Sequence, residues 1–151
     1  MIIGEFTLRN VAAIGPRSSL REAGALLARS DAPALVVVES GKLIGTVSER
    51  DLARQGMGGG FDPDEATVFM LCDPHPAVCF VDAKLASALA LMRNRNQHWL
   101  LVLDRAGQVA GMLSMTRLLS MLETLVPEES TGPEPEYVRR VRGDSCENGW
   151  L

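Results

Sequence analysis

The chain contains an internal repeat, and this repeat constrains its fold more than any other feature. The pattern around Leu20 recurs 65 residues later around Leu85. One extra residue in the second copy, "DRAGQ" against "ESGK", moves the offset to 66, so that Gly45 recurs as Gly111. The order of the pattern elements is stronger evidence than any single identity. Further matched pairs are Ala23 and Ala88, Leu35 and Leu100, Val37 and Val102, Ser48 and Ser114, and Leu52 and Leu118.

Each copy has the same order of secondary-structure signals. A short apolar stretch precedes a segment with apolar residues at helical spacing. A continuous aliphatic run follows, "ALVVVE" or "WLLVLD", which is typical of a buried strand. A glycine turn, a second strand and a helix that begins at Ser48 or Ser114 complete the copy. The sequence therefore predicts an α/β (α+β) fold of two β-α-β-β-α repeats. Because one such unit leaves a sheet face uncovered, we expect the two to pack as an intramolecular pseudo-twofold sandwich.

These patterns divide the chain into four parts. We expect a first repeat over residues 1–56, a Gly-rich linker over 57–66, a second repeat over 67–126 and an acidic, flexible C-terminal tail over 127–151. The linker sequence "GMGGG" lacks the Gly-Lys-Ser/Thr ending of a phosphate-binding loop, so we interpret it as a flexible connection.

Composition excludes several classes of function. The 151 residues carry a formal charge of −4, which gives no electrostatic footprint for nucleic acid or an anionic membrane. No apolar run approaches the length of about 18 residues that a membrane span needs. The first ten residues lack the pattern of a signal peptide, and the three cysteines are an odd number. We therefore expect a cytoplasmic protein with reduced thiols, no nucleic-acid partner and no membrane partner.

Catalytic and metal-binding patterns are weak. Cys72, His75, Cys79 and His98 do not have the spacing of a standard zinc site, so we predict no metal. No serine or cysteine has an evident base partner, and two histidines offer little for acid–base chemistry. We expect neither an enzyme nor a required cofactor.

The stretch "GTVSERD" from Gly45 to Asp51 has two interpretations. Ser48 and Asp51 have the spacing of a capping box, in which each side chain bonds the backbone of the other residue. The same residues suit an adenine nucleotide, because a carboxylate accepts hydrogen bonds from ribose hydroxyls and a helix start offers N–H groups to phosphate. A side chain can also cap its helix when the site is empty and bind ribose when it is occupied.

The repeat unit, with "GTVSERDL" and "CDPHPAVCFVDAKLASALALM", resembles the cystathionine-β-synthase (CBS) domain over residues 6 to 123. Two such domains in tandem are similar to the paired unit called a Bateman module. The resemblance implies a disc-like sandwich, often a homodimer, with clefts that bind adenosine-containing ligands such as AMP, ATP or S-adenosylmethionine. It also implies a regulatory role toward a partner protein, which the sequence does not identify. The alternative is a dimerisation or interaction module with a vestigial nucleotide site.

The resemblance also assigns residues to the first cleft. Asp51 would bind ribose, Arg50 could reach phosphate, and the base would meet the backbone near Ala77. Trp99 would be either an aromatic wall or a core residue, and Asp73 stands where threonine is common and would repel phosphate. The complete set is Gly45, Thr46, Ser48, Arg50, Asp51, Asp73, Ala77, Gln97, His98 and Trp99.

The second cleft lacks the acid of the first. Arg117 occupies the position that matches Asp51, and a guanidinium group only donates hydrogen bonds. The weaker set comprises Ala12, Pro33, Ser114 and Arg117, with Leu8, Ala32 and Ala34 nearby. We therefore predict at most one strong adenosine site in each chain.

Overall fold

The computed structural model describes residues 2–124, and both repeats, apart from the last residues of the second, lie in a compact unit that ends at Met121. The tail predicted over residues 127–151 lies outside the described residues. In the first repeat the elements are β1 (Ala13–Ile14), α1 (Leu20–Ala28), β2 (Ala34–Glu39), β3 (Lys42–Ser48) and α2 (Glu49–Asp51), which continues as a π-helix over Leu52–Met57. After a short helix α3 (Val68–Leu71), the second repeat has β4 (Val78–Phe80), α4 (Leu85–Arg95), β5 (Trp99–Leu103), β6 (Val109–Ser114) and α5 (Met115–Glu123).

The two sheets have the same topology, which confirms the predicted β-α-β-β-α repeats. Each sheet has three strands, in the orders β1-β2-β3 and β4-β5-β6. The first pair in each sheet is parallel and the second pair is antiparallel. Both hairpins shift register at matched points, after Val37 in one and after Val102 in the other. The repeat in sequence is therefore also a repeat in strand register.

Three apolar clusters show how the repeats pack. One cluster contains apolar residues of α4 and α5 together with Ile3 and Phe6 from the start of the chain. Another contains apolar residues of α1 together with Val68 and Leu71 of α3. The third joins the two sheets, because Ala34 and Val36 of β2 lie in the same cluster as Leu101 of β5 and Met112 of β6. Burial of the inner sheet faces against each other is the packing expected of the sandwich.

Each repeat also sends a short backbone segment across the other. Thr46 of β3 and Asp73 exchange two backbone hydrogen bonds, with N···O distances of 3.0 and 2.8 Å. Leu8 and Met112 of β6 do the same at 2.8 and 2.9 Å. These two bridges are related by the offset of the repeat. The bridge between Thr46 and Asp73 brings Asp73 beside the end of β3.

Candidate functional site

A capping box forms at the junction of β3 and α2. The Ser48 hydroxyl accepts a hydrogen bond from the Asp51 amide at 3.1 Å, and Asp51 Oδ2 accepts one from the Ser48 amide at 2.9 Å. The other carboxylate oxygen, Oδ1, accepts no hydrogen bond within residues 2–124. Asp51 therefore caps its helix with one oxygen and keeps the second available.

A small cavity of about 100 Å³ lies beside this capping box, and we call it the Asp51 cavity. It is smaller than the roughly 300–1,000 Å³ of typical ligand pockets, so one moiety of a nucleoside fits before the cavity must open. Residues from both repeats line it: Thr46, Ser48, Arg50, Asp51, Asp73, Gln97, His98 and Trp99.

Two residues that line the Asp51 cavity each have a buried polar atom with no hydrogen-bond partner within the described residues. These atoms are Oγ1 of Thr46, a residue that is only 1% exposed, and Oε1 of Gln97. An unsatisfied buried polar group costs about 1–3 kcal/mol, which most proteins avoid. Both residues line the cavity together with Asp51, which indicates a place where hydrogen-bonding groups are complementary to a ligand.

The turn between the end of α4 and the start of β5 explains how three of the lining residues reach the cavity. Asn96 ends α4 in the left-handed conformation, with φ 51°, and the chain then turns toward β5. Gln97 and His98 lie in this turn, and Trp99 begins β5 opposite Ser114. Trp99 is half-buried, lines the cavity and also packs on the inter-sheet cluster. The wall and core interpretations of Trp99 thus describe two faces of one side chain.

Asp73 and Cys72 bring a second carboxylate and a thiol to this region. Asp73 Oδ1 accepts a hydrogen bond from the His75 amide at 2.9 Å, which holds the turn in "DPHP". Burial raises the pKa of the Cys72 thiol, and the negative charges of Asp73 and Asp51 raise it further. Burial also raises the pKa of Cys79 to about 11. Both thiols are therefore protonated near neutral pH and are weak nucleophiles.

Two residues assigned to the first cleft do not line the Asp51 cavity. A Cβ atom on Gly45 would overlap the carbonyl oxygen of Asp73 and contact Cys72 Sγ, so this glycine admits the crossing chain rather than a ligand. Ala77 lies in the core of the second repeat, and its carbonyl accepts a hydrogen bond from Leu101.

The start of α2 is a poorer phosphate site than the sequence suggests. Its capping box satisfies the amides of Ser48 and Asp51, and the Glu49 amide donates to the Pro33 carbonyl at 3.3 Å. The expected free N–H groups are mostly paired, because Asp51 itself takes the place that an anion would occupy.

The residues assigned to the second cleft are not brought together in the same way. Ser114 accepts a hydrogen bond from the Arg117 amide at 3.2 Å, but the arginine side chain is exposed and cannot complete a capping box. Ala12 lines a separate cavity of about 500 Å³ with Leu8 and residues near the end of α1. At the position that matches Thr46, the second repeat has buried Met112. The acceptors of the Asp51 cavity therefore have no counterpart there.

The sequence interpretation missed an apolar groove of about 450 Å³ on the first repeat. Leu20 and Leu27 of α1 form one side, and Met57 and Phe61 contribute from the π-helix and the predicted linker. Met57 is 84% exposed. Apolar side chains on both sides of "GMGGG" could have indicated this groove, but the glycines favoured the interpretation as a linker.

Residues 2–124 contain no cluster of three or more His, Cys, Asp or Glu side chains arranged to hold a metal ion. In the same part of the chain, no helix is long and apolar enough to cross a membrane.

A family model described as "CBS domain" matches residues 3–58 and 68–124, which together are most of the chain. The chain is 28% identical over 116 residues to the meiotically up-regulated gene 70 protein of Schizosaccharomyces pombe. That match covers 77% of this chain but only 16% of the yeast protein.

Two solved structures show the same fold. A putative signal-transduction protein with CBS domains from Burkholderia ambifaria superposes with a TM-score of 0.73 at 24% identity, over 81% of this chain and 90% of that one. The cytosolic domain of the Mg²⁺ channel MgtE, in complex with ATP, superposes with a TM-score of 0.62 at 21% identity. This second match covers 76% of this chain and 46% of the channel domain.

Proposed function

The chain belongs to the CBS-domain family, and we propose that its two domains form a regulatory module that binds an adenosine-containing ligand in the Asp51 cavity. The ligand-bound state would then modulate a partner protein. CBS-domain pairs are generally regulatory and ligand-binding, and most are not catalytic. The ATP complex of the MgtE domain shows that this fold accommodates an adenine nucleotide in that protein.

The observation that carries this proposal is the pair of unpartnered buried atoms, Thr46 Oγ1 and Gln97 Oε1, in two residues that line the cavity together with Asp51. A glutamine amide pairs well with the N6 and N7 edge of adenine. A carboxylate oxygen accepts a strong hydrogen bond from a ribose hydroxyl. The Trp99 indole adds an apolar wall on which a flat base can stack.

Titration calorimetry of the full chain with adenosine, AMP, ATP and S-adenosylmethionine tests the proposal. We expect at least one of these compounds to bind below millimolar concentration and to raise the melting temperature, because a ligand specific for the native state stabilises it. Absence of binding by all four compounds, with no change in melting temperature, would remove the main support for ligand sensing.

Thr46→Val separates binding from folding when both the affinity for the ligand and the free energy of unfolding are measured. Valine keeps the shape of threonine but removes the unpartnered hydroxyl, so the free energy of unfolding should rise by about 1 kcal/mol. The affinity for the ligand should fall about three- to tenfold, because one hydrogen bond is lost. A more stable variant with unchanged affinity would contradict a role for Thr46 in binding.

The apolar groove supports a second candidate, an interaction module that forms a homodimer. We infer that a second copy of the chain covers the groove, because its lining is almost entirely apolar and Met57 is 84% exposed. A dimer that persists while every nucleotide leaves the stability unchanged would favour this candidate over ligand sensing.

Sedimentation equilibrium of the Met57→Lys variant tests the groove as a dimer contact. We expect dissociation to shift to at least about tenfold higher protein concentration, because a buried lysine charge opposes association. Met70→Lys is the matched control, since Met70 is 58% exposed on α3 and does not line the groove. Equal behaviour of the two variants, or a monomeric parent protein, would contradict the inference.

A further inference from the structure

Three residues that line the Asp51 cavity have carboxylate or amide oxygens that accept no hydrogen bond within residues 2–124. Asp51 Oδ1 accepts no hydrogen bond within residues 2–124, and Gln97 Oε1 is buried without a partner. Asp73 lines the same cavity and uses only Oδ1, for the His75 amide. A ligand group that meets these carboxylate and amide oxygens must donate hydrogen bonds, as hydroxyl, amino and ammonium groups do. A phosphate at neutral pH offers mainly acceptors.

The charged residues that line the Asp51 cavity also disfavour a phosphate. Two carboxylates, Asp51 and Asp73, line the cavity, and Arg50 is the one arginine or lysine among the lining residues. The Arg50 side chain is exposed, so water screens its charge more than it screens the half-buried acids. The raised pKa of Cys72, to which both carboxylates contribute, shows that the two negative charges act on the same region.

The backbone at the start of α2 does not offset this negative charge. The amides of Ser48, Glu49 and Asp51 already donate to protein oxygens at 2.9–3.3 Å. An incoming phosphate would have to displace the Asp51 carboxylate from the Ser48 amide.

We propose that the Asp51 cavity selects adenosine compounds whose 5′ substituent is neutral or cationic, and that Asp73 is the residue that discriminates against a 5′-phosphate. This inference rests on the proposed adenosine site. Thr46, 1% exposed with an unpartnered hydroxyl at the cavity, marks a place built for a polar ligand rather than an incidental acidic patch.

Titration calorimetry of the full chain at low salt tests the selectivity. Adenosine and S-adenosylmethionine should bind about fivefold or more tightly than AMP, and ATP should bind no better than AMP, because like charges repel across the cavity. Raising the salt to about 0.15 M should narrow the difference.

Asp73→Asn should raise the ratio of the AMP affinity to the adenosine affinity about fivefold, because only AMP carries the phosphate that the Asp73 charge repels. Asparagine still offers Oδ1 to the His75 amide, so the turn is kept. Asp104→Asn is the matched control. Asp104 also accepts a backbone hydrogen bond in a turn, from Gln108 at 2.9 Å, and the change in net charge is identical, but the residue does not line the cavity.

The outcomes separate the two levels of the proposal. AMP or ATP binding as tightly as adenosine, or equal effects of Asp73→Asn and Asp104→Asn, would overturn the selectivity and leave the adenosine site standing. Absence of binding by all four compounds would overturn both.

Discussion

Replacing Gly45 with alanine is expected to lower the free energy of unfolding by about 3 kcal/mol. A Cβ atom there would overlap the backbone oxygen of Asp73, and backbone yields less readily than a side-chain end. The two hydrogen bonds between Thr46 and Asp73 would lengthen or break as the crossing segment moved away. A loss of this size is a large fraction of the roughly 5–15 kcal/mol that stabilises a typical domain.

Urea unfolding measures this loss as a lower midpoint with an unchanged slope. Gly111→Ala should behave in the same way, because its Cβ would overlap the Leu8 carbonyl oxygen at the matched bridge. Gly24→Ala is the control, since no atom lies within 4 Å of its Cβ position and alanine favours the helix. A Gly45→Ala variant as stable as Gly24→Ala would mean that the crossing segment adapts at little cost.

The order of elements was predictable because each copy carries its own periodicity. The aliphatic runs in β2 and β5 and the helical spacing in α1 and α4 are local signals, and the structure confirms them. The use of Gly45 was not predictable in this way. The resemblance assigned Gly45 to the ligand cleft, whereas its neighbour in the structure is Asp73, 28 residues further along the chain. Which segment crosses a glycine is decided by tertiary packing, and no local pattern encodes it.

The candidate site also combines features that the local sequence predicts with features that depend on tertiary packing. The Ser48–Asp51 spacing predicted a capping box correctly, because both partners lie within one helical turn. The resemblance placed Gln97 and His98 across the cleft, and the structure brings both to the Asp51 cavity. Neither the residue spacing nor the family resemblance indicated that amides at the start of α2 are already hydrogen-bonded, or that Gln97 Oε1 is buried without a partner. Both facts depend on contacts between the repeats, so their role in ligand binding stays a prediction.

Asp51→Asn is expected to weaken binding of the adenosine ligand about tenfold or more, with little change in stability. Asparagine can still accept the hydrogen bond from the Ser48 amide through its one amide oxygen. The side-chain bond that Asp51 contributes to the capping box is therefore kept. Asparagine loses the negative charge and the free acceptor at the position of Oδ1. A hydrogen bond to a charged group is worth about 1.5–3 kcal/mol, which corresponds to the expected loss of affinity.

Calorimetry and urea unfolding on three variants separate the two roles of Asp51. Asp51→Ala should lose binding and also about 1 kcal/mol of stability, because the Ser48 amide loses its acceptor while the Ser48 hydroxyl still caps the helix. Arg117→Ala should change neither, since Ser114 accepts from the Arg117 backbone amide rather than from its side chain. Equal losses of binding in the Asp51 and Arg117 variants would place the ligand in the other cleft. Full affinity in Asp51→Asn would mean that the charge and the second oxygen do not contact the ligand, and that Asp51 serves only its own helix.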